Sequence, residues 1–231
     1  MSEFNSEQVA LNKNLLFVYD KLLSYYGGQN WWPADNRDEI IIGAILTQNT
    51  NWHNVSKALV NLKENHLCTL TALAEADRYL IANLIKPTGY YNVKAGRLQN
   101  TARLILDWEP ERSEISKARD FLLSVKGIGP ETADSILLYA YNIPVFVIDA
   151  YTIRLFNRLL LLPREKNYSF YQEFFMTNIK RDPYLYNEYH ALIVQQCKSK
   201  CKKVPLCDLC PLYQLCSYPA DNKKKQSDYS L

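Results

Sequence analysis

The chain has 231 residues, 48% of them apolar and only seven of them glycine, with a formal net charge of +3. That is ample for one compact domain or two small ones, and it excludes a disordered chain. No apolar run reaches the ~20 residues of a membrane-spanning helix. The start, Met1 to Ser6, also lacks the basic and apolar segments of a signal peptide. A cytoplasmic location is expected, where clustered cysteines point to a metal rather than to disulfides.

The pattern is helical almost throughout. Ser6 can cap a first helix running to about Tyr26, with Val9, Leu15, Leu16, Phe17, Leu22 and Leu23 on its apolar stripe. Gly27-Gly28 ends it. After a loop, the stretch "RDEIIIGAILTQNT" begins with acids and turns strongly apolar, as a buried helix does. Further helices are expected over 53–65, 69–75, 76–85, 91–108, 113–124, 131–142, 150–162, 168–180 and 183–197. "VFVID" (145–149) is β-like but has no partner strand, so the expected fold class is all-α. The segment after Tyr218 is polar and lysine-rich and reads as a disordered tail.

Five of the six cysteines lie in "CKSKCKKVPLCDLCPLYQLC" (197–216). Cys201, Cys207, Cys210 and Cys216 form C-x5-C-x2-C-x5-C, compact enough for one loop to wrap a metal centre with four thiolates. A structural zinc and a [4Fe–4S] cluster compete. The single C-x2-C knuckle, with Pro211 after Cys210, favours the cluster. Cys197 is the surplus thiol and the rival of Cys201 as first ligand. Cys68 reads as a core residue.

"SVKGIGPETADSILLYA" is a helix end, a tight turn and a new helix. Gly127 and Gly129 allow close backbone approach, and Pro130 suits the first helical position. The N–H groups of such a helix start can hold a phosphate without reading base sequence. Downstream, "FVIDAYTIRLFNRL" sets Asp149 between an apolar run and a helix, where an acid serves as an N-cap or as a catalytic carboxylate.

With these motifs in order, the chain resembles the endonuclease III superfamily of base-excision DNA glycosylases, which share a helix–hairpin–helix, a Gly/Pro-rich segment and an aspartate. "AILTQNTNWHNVSKAL" (44–59) and "IKPTGYYNVKAGRL" (85–98) resemble its two DNA-wedge regions. "VKGIGPETAD" resembles the hairpin, "VIDAYTIRLFNR" the aspartate segment, and the cysteine run the iron–sulfur loop. The first cysteine interval is one residue shorter than the family's common C-x6-C-x2-C-x5-C. The resemblance implies two helical lobes with DNA and a flipped base between them. One lobe is 37–147; the other joins 1–36 to 148–217 and holds the cluster, with 218–231 a basic tail.

The same resemblance implies site residues. Asp149 would stabilise the charge that develops on the sugar and orient the attacking water. Gln48 or Asn49, with Tyr90, would fill the gap left by the flipped base, although helix capping and loop packing are competing readings of these residues. Lys126, Gly127 and Gly129 would meet the DNA backbone. Bifunctional members of the family carry a Schiff-base lysine at the position of Glu131. A carboxylate cannot do that chemistry, so a monofunctional enzyme is expected. Trp31, Trp32, Pro33 and Trp52 offer aromatic surface for a base. With Glu131 they resemble the endonuclease III-type 3-methyladenine DNA glycosylases. The partner implied is double-stranded DNA with a damaged base, bound by a monomer. A bifunctional glycosylase/lyase, a mismatch glycosylase and a non-catalytic DNA-binding module are the alternatives. Lys198, Lys200, Lys202 and Lys203 suit phosphate contacts.

Overall fold

The computed structural model describes residues 2–111, 114–162 and 167–218, and side chains from residue 14 onward. The expected basic tail therefore lies outside the described residues, apart from Tyr218. Eleven α-helices and several short helical turns make up the described residues, with no strand among them. The helices are α1 (Ser2–Tyr26), α2 (Arg37–Leu46), α3 (Trp52–Glu64), α4 (Leu70–Glu75), α5 (Arg78–Leu84) and α6 (Tyr91–Ile105). They continue with α7 (Ile115–Ser124), α8 (Pro130–Ser135), α9 (Ala150–Arg158), α10 (Tyr168–Asn178) and α11 (Pro183–Ser199). The chain divides into two compact units, Met1–Trp31 with Pro144–Leu231, and Trp32–Ile143.

Local sequence explains most helix starts. Asn36, Asn51, Thr69, Asp77, Asp149, Asn167 and Asp182 each accept a backbone N–H from the first turn of the following helix, which satisfies donors that the helix cannot. Helix α1 departs from expectation. It begins at Ser2, so Ser6 lies inside it rather than at its cap. Phe17, expected on its apolar stripe, is exposed, while Leu15, Val18 and Leu22 are buried; their three- and four-residue spacing defines the inward face.

In the unit holding α1, the core is aromatic. The Phe146 ring stacks on Phe175 at 4.1 Å, and Tyr189 donates its hydroxyl to the Leu15 carbonyl at 2.6 Å, tying α11 to α1. Val145 to Ile148 of the "VFVID" run are buried, yet the run joins no sheet. Side chains satisfy its backbone instead: Gln172 Nε2 donates to the Phe146 carbonyl at 2.8 Å, and the Ile148 N–H donates to the Tyr168 hydroxyl at 3.3 Å.

In the other unit, α6 packs against α4 and α5, and α2 packs against the continuation of α8. That continuation, Ile136–Ala140, has π-helical geometry, a widened turn often found at functional sites. Asn142, in the left-handed conformation, and Pro144 end it. The two helices of the hairpin are joined by Arg119 and Asp134. Asp134 is fully buried, and the Arg119 Nε and Nη2 reach its two oxygens at 2.8 and 3.2 Å.

Candidate functional site

Asp149 caps α9. Its Oδ1 accepts the Thr152 N–H at 2.7 Å and the Thr152 hydroxyl at 2.9 Å. Its Oδ2 lies 3.5 Å from His190 Nε2, an ion-pair distance rather than a good hydrogen bond. The carboxylate side chain is only 11% exposed. Burial pushes its pKa upward, but His190, through charge and hydrogen bonding, and the two Thr152 donors outweigh it and hold the acid below its ordinary 3.8. Asp149 is thus a buried, oriented and ionised carboxylate. Sequence reasoning gave His190 no role. Nothing in its neighbourhood in the chain marks it, because its partner sits on another helix.

The hairpin turns at Val125 to Ile128, closed by the Ile128 N–H donating to the Val125 carbonyl at 3.0 Å. Gly127 has φ +95, and an added Cβ would sit 2.5 Å from Arg97 Nε. Gly127→Ala is therefore expected to cost more than about 1 kcal/mol, read as a lower melting temperature together with weaker duplex binding. Ile128 is buried beneath the turn, and Lys126 is exposed at its tip. Gly129 is extended, with open space where a Cβ would be, and Pro130 opens α8. Glu131 is exposed in the first turn of α8, where the helix dipole favours an acid.

The structure separates the wedge candidates. Gln48 Nε2 donates to the Gly127 carbonyl at 3.0 Å and to Thr132 Oγ1 at 3.1 Å, and its Oε1 accepts from Arg97. Gln48 would have to break these bonds before it could enter a duplex. Asn49 and Tyr90 are exposed, both in the left-handed backbone region, with φ of 54 and 46. That conformation is costly for residues other than glycine and recurs at functional loops. Lys94 supports both loops from below. It is buried, and its Nζ donates to the Leu46 carbonyl at the end of α2 and to the Thr88 carbonyl before Tyr90, at 2.9 and 2.8 Å. Burial, with help from Arg97, lowers its pKa to about 8.

Trp32 and Trp52 meet edge to face at 5.2 Å, and Tyr139, in the π-helical turn, lies 5.1 Å from Trp32. Gly43 of α2 makes room for this, since a Cβ there would lie 3.3 Å from the Trp32 indole nitrogen. Pro33 is exposed beside them. Trp31 belongs to the other unit. Lys198 lies over its ring at 5.7 Å, and it lines a groove with Tyr19, Asp182 and Glu188. Trp108 is half-buried and packs on Phe121 and Tyr141.

Cys201, Cys207, Cys210 and Cys216 line one cavity behind the C-terminal loop, and Cys197 is not among its walls. The Cys197 Sγ lies 3.5 Å from the Tyr151 carbonyl and neighbours Cys201. Two N–H groups already aim at sulfur: Arg158 Nη1 lies 3.2 Å from Cys201 Sγ, and Gln196 Nε2 lies 3.0 Å from Cys210 Sγ. The Cys201 thiol is lowered to about 6, first by its hydrogen bond with Cys197, against burial, and then by Arg158. Such thiolate-stabilising donors fit a thiolate-ligated centre. Among the described residues, no three His, Cys, Asp or Glu side chains close up as ligands of a single ion.

The comparisons with known proteins agree with this geometry. A family model described as "HhH-GPD superfamily base excision DNA repair protein" matches residues 42–181. A protein of Methanocaldococcus jannaschii, provisionally named a DNA repair glycosylase, is 46% identical over 206 residues, covering 86% of this chain and 94% of its own. The H. pylori 3-methyladenine DNA glycosylase, solved with 1,N6-ethenoadenine, has a TM-score of 0.64 at 30% identity, covering 81% of this chain and 95% of its own. An endonuclease III–DNA complex shares the fold, with a TM-score of 0.79 at 20% identity over 92% of this chain and 98% of its own. The chain is a member of the endonuclease III (HhH-GPD) superfamily, the DNA glycosylases of base-excision repair.

Proposed function

We propose that this glycosylase is monofunctional, hydrolysing the N-glycosidic bond of a flipped, alkylated purine such as 3-methyladenine and leaving an abasic site. The observation that carries the hydrolytic step is the environment of Asp149. Breaking the bond between C1′ and the base builds positive charge on the sugar. A buried carboxylate, fixed at Oδ1 by Thr152 and kept ionised, stabilises that charge where water cannot screen it. It also orients the water whose oxygen bonds to C1′ and whose proton passes to the carboxylate and on to solvent, while the electron pair of the broken C1′–N bond stays with the base and neutralises its charge. Glu131 supports the absence of strand cleavage, since a carboxylate forms no Schiff base with the opened sugar.

The substrate class rests on Trp32, Trp52 and Tyr139. Alkylation leaves a purine cationic, and indole faces attract cations and stack on bases. The likeness to the H. pylori 3-methyladenine enzyme points the same way. Exposed Asn49 and Tyr90 are read as the residues that fill the vacated stack. Lys126 and the backbone N–H groups at the start of α8 are read as phosphate contacts. Cys201, Cys207, Cys210 and Cys216 would hold a [4Fe–4S] cluster, which supplies structural cross-linking of the loop rather than redox chemistry.

Purified protein incubated with methylated, oxidised and mismatched duplexes, each read with and without alkali, tests the reading. Methylated purines should be released, with strand breaks only after alkali. Trp52→Ala should lose that release while remaining folded. A covalent adduct trapped by borohydride on abasic DNA would assign a lyase instead, and excision from no duplex would leave a DNA-binding module.

A further inference from the structure

The pairing of His190 with Asp149 is used by nothing in the sequence reading. Yet α9 and α11 bring the two side chains together inside one unit, both nearly closed off from solvent: 8% exposure for the imidazole and 11% for the carboxylate. The two carboxylate oxygens have different neighbours. Oδ1 receives both Thr152 donors and is bound to the helix start. Oδ2 faces His190 Nε2. An acid that only capped α9 would need Oδ1 alone, and its second oxygen would be expected to turn to water. We infer that His190 is a positioning residue for the glycosylase reaction, its Nε2 holding the Oδ2 edge of Asp149 in a fixed direction. The inference rests on the reading of Asp149 as the catalytic carboxylate.

A carboxylate taken out of water is driven toward its neutral acid, which stabilises a cationic sugar far less. Opposite charge at short range restores the ionised form, and His190 is the neighbour whose charge does so here, ahead of the Thr152 donors. Lys198 and Cys197, both on α11, also interact electrostatically with Asp149, and Arg154 of α9 acts on Cys197. His190 leads along α11 toward Gln196, which donates to Cys210 Sγ.

Two variants and one control test this in the full-length protein. His190→Phe removes charge and donor together. His190→Gln keeps an N–H donor but no charge. Asp149→Asn reports on the catalytic carboxylate itself. Single-turnover excision from a methylated duplex gives the rate, gel shift gives the affinity for DNA, and thermal melting gives the folded fraction. The His190→Phe rate is expected to fall by about 10-fold or more with unchanged DNA affinity. Its acid limb is expected to move to higher pH by about 1–3 pH units, the range by which an opposite charge depresses a carboxylate. His190→Gln should fall between His190→Phe and the wild type in rate and limb, which a purely structural residue would not produce. If His190→Phe and His190→Gln are folded and show the wild-type rate and limb while Asp149→Asn is inactive, the positioning role is wrong and the catalytic reading stands. If Asp149→Asn is as active as the wild type, the catalytic reading fails, and the inference with it. If His190→Phe does not fold, the acid limb of His190→Gln decides: unmoved overturns the role, raised supports it.

Discussion

Asp149→Asn should reduce single-turnover excision by about 10²–10³-fold, the scale lost when one preorganised electrostatic contact to a transition state is removed. Duplex binding and the melting profile should barely change. Asparagine keeps an oxygen for the Thr152 N–H and hydroxyl, so the start of α9 stays capped. What disappears is the negative charge beside the developing sugar cation and the ion pair with His190. The variant thereby separates the cap that the carboxylate provides from the catalytic role proposed for it. Asp149→Ala would confound them, because it also removes the cap. The pH dependence follows from the lowered pKa. A carboxylate whose folded value lies below its ordinary 3.8 contributes stability that is fully present above that value and is lost as pH falls through the folded one. The acid limb of the wild-type rate should accordingly lie below the ordinary carboxylate range. A variant that binds DNA normally and still excises at the wild-type rate would remove Asp149 from the mechanism.

The capping position of Asp149 was legible in the chain because local order exposes it: an apolar run, an acid, then an amphipathic helix. The hairpin was legible for the same reason, since Gly127, Gly129 and Pro130 each answer a backbone requirement that acts over a few residues. Residues whose meaning depends on contacts across helices could not be read. His190 acquires its role only when α11 lies against α9. Gln48 and Asn49 are adjacent and chemically similar, and only the folded hairpin distinguishes them: Gln48 is tethered to Gly127 and Thr132, while Asn49 is exposed. Cys197 and Cys201 present the same problem. Spacing leaves both available, whereas in three dimensions only Cys201 joins the cavity walls. Phe17 shows the reverse failure. Apolarity alone put it on the buried stripe, but the angular position of Leu15, Val18 and Leu22 decides which face of α1 is covered.

Breaking the Arg119–Asp134 pair should produce the largest loss of stability. Arg119→Ala leaves a fully buried carboxylate with neither of its two Arg119 hydrogen bonds, and removing one partner of such a pair costs about 3–5 kcal/mol. For a chain of this size each kcal/mol lowers the melting temperature by roughly 2–4 °C, so a fall of about 6–20 °C is expected. The two partners are not equivalent. The Arg119 side chain keeps 21% exposure against none for Asp134, so after Asp134→Ala the guanidinium can turn toward water. That variant should lose less than Arg119→Ala. Replacing both partners by apolar residues of similar size, Arg119→Met with Asp134→Leu, should recover part of the loss, because no charge is then left buried. The pair joins α7 to α8 across the turn that carries Gly127 and Gly129. Amide exchange in those two helices should accelerate in Arg119→Ala, and duplex affinity should fall with it. Equal destabilisation by the two single variants, or a double variant worse than either, would mean that the pair acts through something other than the burial of its charges.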